Sequence, residues 1–182
     1  MKKILSISVG SSSRDHTTRH TFLGQECELS RQGTDGDFDK AVQRYRDMDG
    51  QVDAFGVGGV EFFLRVGQRR YYFRDVSRIR RAVKISKIGD GNGVKGLLER
   101  RAFAALEKHL NEKEDRTLRG LPALLTTAVD RYGMGEAMLD AGLDLTIGDF
   151  MFTLGLPLPI KKLSTVRVVA ATLLPVITRM PF

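Results

Sequence analysis

Residues 124–149, LLTTAVDRYGMGEAMLDAGLDLTIGD, hold two apolar runs on either side of a helical stretch. Leu124, Leu125, Ala128 and Val129 form the first run, and Leu143, Leu145 and Ile147 alternate through the second. Between them Met134, Ala137, Met138 and Ala141 recur at the 3.6-residue period, and Gly142 stands where a glycine ends a helix. Strand, helix and strand in such quick succession predict a βαβ unit. Asp130 and Asp149 close the two strands, and in open α/β sheets ligands gather beyond those carboxyl ends. The fold class expected is α/β, a three-layer αβα, Rossmann-like arrangement with a mostly parallel sheet and antiparallel hairpins early in the chain.

The 182 residues suit one α/β domain over 1–182, with 1–110 and 120–182 as the alternative subdivision. The charged stretch Asn111–Arg119 is the expected solvated linker between those halves. A 42% hydrophobic and 28% charged composition is that of an ordinary globular protein. A single Cys27 excludes an internal disulfide, and three scattered histidines argue against a histidine zinc site, so no protein metal cluster is expected. The start, MKKILSISVG, reads as a strand and not a signal peptide. Val166–Thr178 is too short to span a bilayer and carries Arg167, so no membrane is expected and the cytoplasm is the default. The chain stops at TRMPF with no polar tail, which suggests a longer natural chain.

Ile4–Gly10 alternates as a strand and runs into GSSSRDH, residues 10–16. Glycine, Ser11, Ser12, Ser13 and Arg14 after a strand offer amides, hydroxyls and a guanidinium to a phosphate, although a self-satisfied serine turn explains the same residues. Two short strands, Thr21–Leu23 and Glu26–Arg31, flank a turn at Gly24-Gln25. GTDGD then feeds an amphipathic helix with Phe38, Ala41, Val42, Tyr45 and Met48 on one stripe and Gly50 past its end. Val52–Gly59 is a strand ending in glycines, read as backbone crowding because no helix follows GVGG. EFFLRVGQRRYYF reads as a hairpin turning at Gly67-Gln68, and Arg74–Ala82 as a short basic helix burying Val76, Ile79 and Val83. Aromatics interleave with arginines here, but strand alternation produces the same pattern, which argues against a nucleic-acid partner.

GDGNGVKG, residues 89–96, opens a long helix reaching about Leu110, with Val94, Leu97, Leu98, Ala102, Ala105 and Leu106 on its apolar face. A glycine-rich loop at a helix N-terminus is a ready anion site, so Gly91, Asn92 and Gly93 join the ligand-binding candidates. Lys95 in the first turn opposes the helix dipole and needs a bound anion or a carboxylate partner. FMFTLGLPLPIKK forms an apolar loop, and Leu163–Leu174 a helix that Pro175 bends or ends.

The segments ISVGSSSRDH, GTDGDFDKA, VDAFGVGG, GDGNGVK, VDRYGMGEAM and GDFMFTLGLPLPI together resemble the family labelled quinate 5-dehydrogenase, in matching order along nearly the whole chain. The resemblance covers the N-terminal portion of a longer family member. It implies an NAD(P)-dependent oxidoreductase of the quinate/shikimate type, with NAD or NADP as cofactor. No GxGxxG opens a helix here, and no Lys/Asp motif of the shikimate-dehydrogenase kind can be matched. The resemblance therefore puts the nicotinamide site in sequence outside this chain.

These readings predict a dehydrogenase-like protein binding an anionic small molecule: a hydroxy acid, a phosphate or a nucleotide. Lys95, Asp90 and Asp130 are the catalytic candidates; Ser11–Arg14, Gly91–Gly93 and Asp149 are the ligand-binding ones. Asp90, Asp130 and Asp149 could also orient hydroxyls or hold Mg²⁺ through oxygen ligands. A non-catalytic ligand-binding or protein-interaction module is the alternative, since no nucleophile–base pair can be assembled; a basic nucleic-acid binder ranks third and would require steeply salt-dependent affinity, and a homo-oligomer is left open.

Overall fold

The computed structural model describes residues 1–181. In chain order it contains β1 (Lys2–Ser8), β2 (His16–Phe22), β3 (Gln25–Gly33), α1 (Phe38–Met48), β4 (Ala54–Gly58), β5 (Phe63–Val66) and β6 (Arg69–Tyr72). These are followed by α2 (Val76–Ala82), β7 (Lys87–Gly89), α3 (Asn92–Glu114), β8 (Pro122–Leu125), α4 (Tyr132–Asp140), β9 (Asp144–Ile147) and α5 (Leu163–Ile177). A 3-10 turn covers Ser12–Arg14 and a π turn Asp149–Thr153. The protein is a mixed α/β chain dividing into two compact units. The first takes Met1–Phe63, Tyr72–Asn92 and Arg179–Phe182; the second takes Leu64–Tyr71 and Gly93–Thr178. The division thus falls at 92/93 and not in the expected linker at 110–120. α3 runs unbroken through residue 110, and Leu118 inside the charged stretch is buried.

In unit 1 a five-stranded sheet has the order β2-β3-β1-β4-β7. β1 lies parallel to both β3 and β4, β4 lies parallel to β7, and only β2 runs antiparallel to its neighbour. The alternation of β1 sends Leu5 and Ile7 to one face, where Phe55 of β4 joins them. Ala41, Val42 and Tyr45 of α1 and Val76 and Ile79 of α2 cover that face. Of the expected layers, the sheet and one layer of helices are present in this unit. Asp37 starts α1 by accepting a hydrogen bond from the Lys40 amide, and Gly50, at φ +82°, takes the left-handed turn just past its end.

Asp49, at the end of α1, fastens the connection after α2. Its carboxylate accepts from the amides of Lys84 (2.6 Å), Ile85 and Ser86 (2.8 Å), and the Ser86 amide leads the contacts that hold the carboxyl below its usual range. Asp53 is lowered likewise, first by the Lys2 ammonium and then by the Lys3 amide. A carboxyl whose folded pKa lies below its unfolded value stabilises the fold above the unfolded pKa and loses that contribution as pH falls through the folded one. Unit 1 should therefore keep its stability from neutral pH down to near 3.8, the unperturbed aspartate value, and lose it progressively below. Urea midpoints across that range, for the parent and D49N, check this: the variant's acid limb should be shallower, and superimposable limbs would remove Asp49 from the account.

In unit 2 the expected βαβ unit is present. β8 pairs parallel with β9, Leu125 opposite Ile147, with α4 as the crossover, and Gly142 (φ +78°) ends α4. Leu125, Leu145 and Ile147 pack with Tyr132 and Met138 of α4 and with Leu163, Val166 and Ala170 of α5. α5 passes through Pro175 to Ile177; the proline deprives the Ala171 carbonyl of its i+4 donor, so the helix runs on at the cost of one ladder bond. The apolar face expected of α3 is turned outward: Val94 and Leu98 are each 59% exposed, whereas Phe103 and Leu110 face the core. The one buried side chain of that helix is Glu99, paired with the exposed Arg131. Among the described residues no helix is long and apolar enough to cross a membrane.

Candidate anion site

The candidate residues fall into separate places. At the carboxyl edge of the unit 1 sheet, β1 runs into the loop Val9–Asp15. The chain leaves β1 toward β3 on one side and leaves β4 toward β7 on the other, so the crevice between β1 and β4 is a switch point of the kind where α/β sheets hold ligands. Tight backbone packing builds it. The Thr34 amide donates to Ser8 O (2.9 Å), the Gly36 amide to Val9 O (2.7 Å) and the Val9 amide to Gly58 O (3.2 Å). A Cβ on Gly33 would sit 2.5 Å from Ser11 backbone atoms, and one on Gly58 would sit 2.8 Å from the Ser8 Cβ. Within GVGG the Gly58 contact and the φ of +77° at Gly59 account for two of the three glycines, and β5 follows them where a dinucleotide turn would open a helix. The other glycine pair, Gly133 and Gly135 in α4, faces the Glu99 carboxylate and the Leu125 and Leu163 side chains. Neither pair fits a pyrophosphate.

The serines do not form the backbone cradle expected of them. The Gly10 amide donates to Ser8 Oγ, the Ser12 amide to Asp35 Oδ1 (2.7 Å) and the Ser13 amide to Ser11 Oγ. The Ser12 amide, helped by its hydroxyl, holds the Asp35 carboxyl below the usual range. What the edge presents outward is side chains: the hydroxyls of Ser11, Ser12 and Ser13 and two guanidiniums. Arg31 reaches across from β3, donating through Nη1 to Ser11 O (2.9 Å) and to Asp15 (2.8 Å). Asp15 also accepts the Gly33 amide at 2.6 Å. Arg14 Nη2 lies 2.9 Å and Arg31 Nη2 3.5 Å from where a Gly10 Cβ would be, so the two cations stand within about 6 Å of each other. Among the described residues no carboxylate pairs with Arg14. Arg31 and Asp15 escape a reading of the sequence, because nothing near them in the chain shows that β3 will lie beside β1.

The glycine-rich loop 89–93 is capped from within. Asp90 accepts from the amides of Phe62 (3.0 Å) and Asn92 (3.1 Å) and from the Asn92 side chain (2.9 Å). Burial pushes its carboxyl up, but those donors outweigh burial and leave it below the usual range. Of the loop amides expected for an external anion, that of Asn92 is therefore already on Asp90, and Gly91 supplies the φ of +77° that the turn needs.

In unit 2, Lys95 and Asp130 do meet, at 3.0 Å; Asp130 also pairs with Arg131, which holds Glu99. Asp130 is thus the carboxylate partner that the first-turn lysine needs. Asp149 is buried, and its two oxygens accept from the amides of Ala128 (2.7 Å) and Val129 (2.9 Å). It shapes the loop after β8, with one backbone amide on each oxygen. Beside it an apolar groove of about 300 Å³ lies between the π turn and α5, lined by Val129, Phe150, Leu154, Val169, Leu173 and Ile177 among others. Among the described residues no three His, Cys, Asp or Glu side chains gather closely enough to hold a metal ion, and Asp90, Asp130 and Asp149 each serve protein partners.

Residues 3–90 match a family described as a domain of unknown function (DUF8753), and residues 93–182 match a second, also described as a domain of unknown function (DUF8754). The junction between the two matches is where the structure divides into its two units. No curated protein and no solved structure matches this chain.

Proposed function

We propose that the protein binds an anionic small molecule, a phosphate- or carboxylate-bearing compound such as a hydroxy acid or nucleotide, at the Ser11–Arg14 edge of unit 1. The observation that carries this is Arg14: a guanidinium without an acidic partner among the described residues, converging with Arg31 over Gly10 beside three hydroxyls. Guanidiniums bind oxyanions through paired, charge-assisted hydrogen bonds, and serine hydroxyls add neutral donors. The parallel core β3-β1-β4-β7 with its switch point supports a Rossmann-like reading of unit 1. A dehydrogenase role rests on the family resemblance, and the glycines present supply no nicotinamide turn, so no hydride step is assigned to this chain.

Titration calorimetry with inorganic phosphate, quinate, shikimate, NAD and NADP tests the reading. One of these should bind, and R14A should lose at least tenfold in affinity, about 1.4 kcal/mol, while keeping the parent's circular dichroism. Equal affinity in parent and variant would move the site elsewhere. The second reading, a protein-interaction module, is favoured by exposed Phe152, Leu154, Leu156 and Leu158 in unit 2. It calls for a stable oligomer in light scattering and no heat with any of those anions.

A further inference from the structure

The basic stretch resolves into a helical face that the small-anion site does not use. On α2 and the turn before it, Arg74, Arg78 and Arg81 fall at i, i+4 and i+7, one outward stripe opposite the buried Val76 and Ile79, and Lys84 stands exposed just past the helix, where the chain has become extended. Arg80 flanks the stripe. Acidic compensation is thin. Arg78 pairs with Asp39 of α1, and Arg74 lies 3.6 Å from Asp75. Arg81 reaches only the Ser77 hydroxyl, and among the described residues Arg80, Arg81 and Lys84 have no carboxylate partner. Asp49, the nearest other acid in sequence contact with this segment, is committed to the amides of Lys84–Ser86.

Like charges at i,i+3 and i,i+4 weaken a helix, and α2 has seven residues and no side-chain cap at its start. Such a stripe is unfavourable to the folded protein alone, and a polyanion bound along it would reverse the sign of that repulsion. We infer that the Arg74–Lys84 face of α2 docks the phosphate backbone of a nucleic acid. The choice among polyanions follows from what surrounds the stripe. A helix lying in a membrane surface turns apolar residues outward, whereas the apolar side of α2 is spent in the core. A protein partner is gripped through apolar or aromatic anchors at the centre of the interface, whereas the large exposed apolar side chain here, Ile85, stands at the far end of the stripe and not at its centre. A phosphate backbone needs neither: arginine forks and a run of positive charge supply the affinity, without reading sequence.

The test is fluorescence anisotropy of labelled duplex DNA and single-stranded RNA of mixed sequence, between about 50 and 200 mM salt. The parent should bind at the low-salt end, with log affinity against log salt falling at a slope of about −3 on the duplex. The triple variant R74A/R81A/K84A spares the Arg78–Asp39 pair and should keep the parent's circular dichroism. It should lose at least tenfold in affinity at low salt and have a slope shallower by about one per cation removed. R14A should bind nucleic acid as the parent does, so failure of the small-anion reading and failure of this one are separable. No binding at low salt, a triple variant indistinguishable from the parent, R14A losing as much as the triple variant, or tighter binding to anionic vesicles than to nucleic acid would each overturn the assignment.

Discussion

Replacing Tyr45 by alanine should cost unit 1 about 3–5 kcal/mol, the range for deleting a fully buried large aromatic side chain. Tyr45 is completely buried beneath the sheet, its ring edge-to-face with Phe55 at 5.2 Å, and its hydroxyl lies 2.9 Å from Ile7 O and 3.2 Å from Gly56 O. One side chain thus ties α1 to β1 and β4 at the strands whose carboxyl ends form the crevice. Burial pushes the phenol well above its usual range, so it remains a donor wherever the protein is folded. The phenylalanine variant separates packing from the hydrogen bond: it keeps the ring and should cost about 1 kcal/mol. Amide exchange in β1 and β4 reads both effects. If Tyr45→Phe were as damaging as Tyr45→Ala, the hydrogen bond would outrank the packing and this ledger would be reversed.

Replacing Asp149 by alanine should cost unit 2 about 3 kcal/mol, because hydrogen bonds to a charged group are worth about 1.5–3 kcal/mol each and two are lost at once. The carboxylate occupies the amides of Ala128 and Val129 just beyond β8, and the Ala128 side chain is itself buried. The loss should appear as faster amide exchange at 128 and 129 before the rest of the unit opens. Asp149→Asn retains an acceptor and should recover part of the difference. An alanine variant with unchanged protection at those amides would show that the loop holds its shape without the carboxylate.

The local periodicities were legible in the sequence. The α1 stripe Phe38–Met48, the hairpin turning at Gly67-Gln68 and the buried Val76, Ile79 and Val83 appear where spacing puts them, as does the β8–α4–β9 unit except that β8 ends at Leu125 and leaves Ala128, Val129 and Asp130 in the turn beyond it. β2 was hidden beyond Thr21–Leu23, because every residue of His16–Phe22 is exposed and an edge strand without a buried face shows no alternation. The face of α3 differs for a related reason: its apolar residues outnumber what unit 2 covers, and the side that turns inward carries the buried Glu99. The division at 92/93 carries no linker signal, because it falls in the first turn of a continuous helix.

The candidate site was legible only as a set of residue types. Strand, glycine, serines and arginine singled out the carboxyl edge of β1, but the sequence could not show that Asp35 would take the Ser12 amide or that Arg31 would arrive from β3. Acidic residues beside glycine loops were the most misleading sign. Asp90 and Asp149 turn out to satisfy the chain's own amides, the place that an external ligand would have taken.

Amide chemical-shift mapping during a titration with inorganic phosphate tests the small-anion site most directly. The account predicts saturable shifts concentrated on Gly10–Arg14, with the Arg14 and Arg31 side chains responding, and their loss in R14A. Saturable shifts centred on Asn92–Lys95 or around Asp130, or none on the Gly10–Arg14 loop, would contradict it.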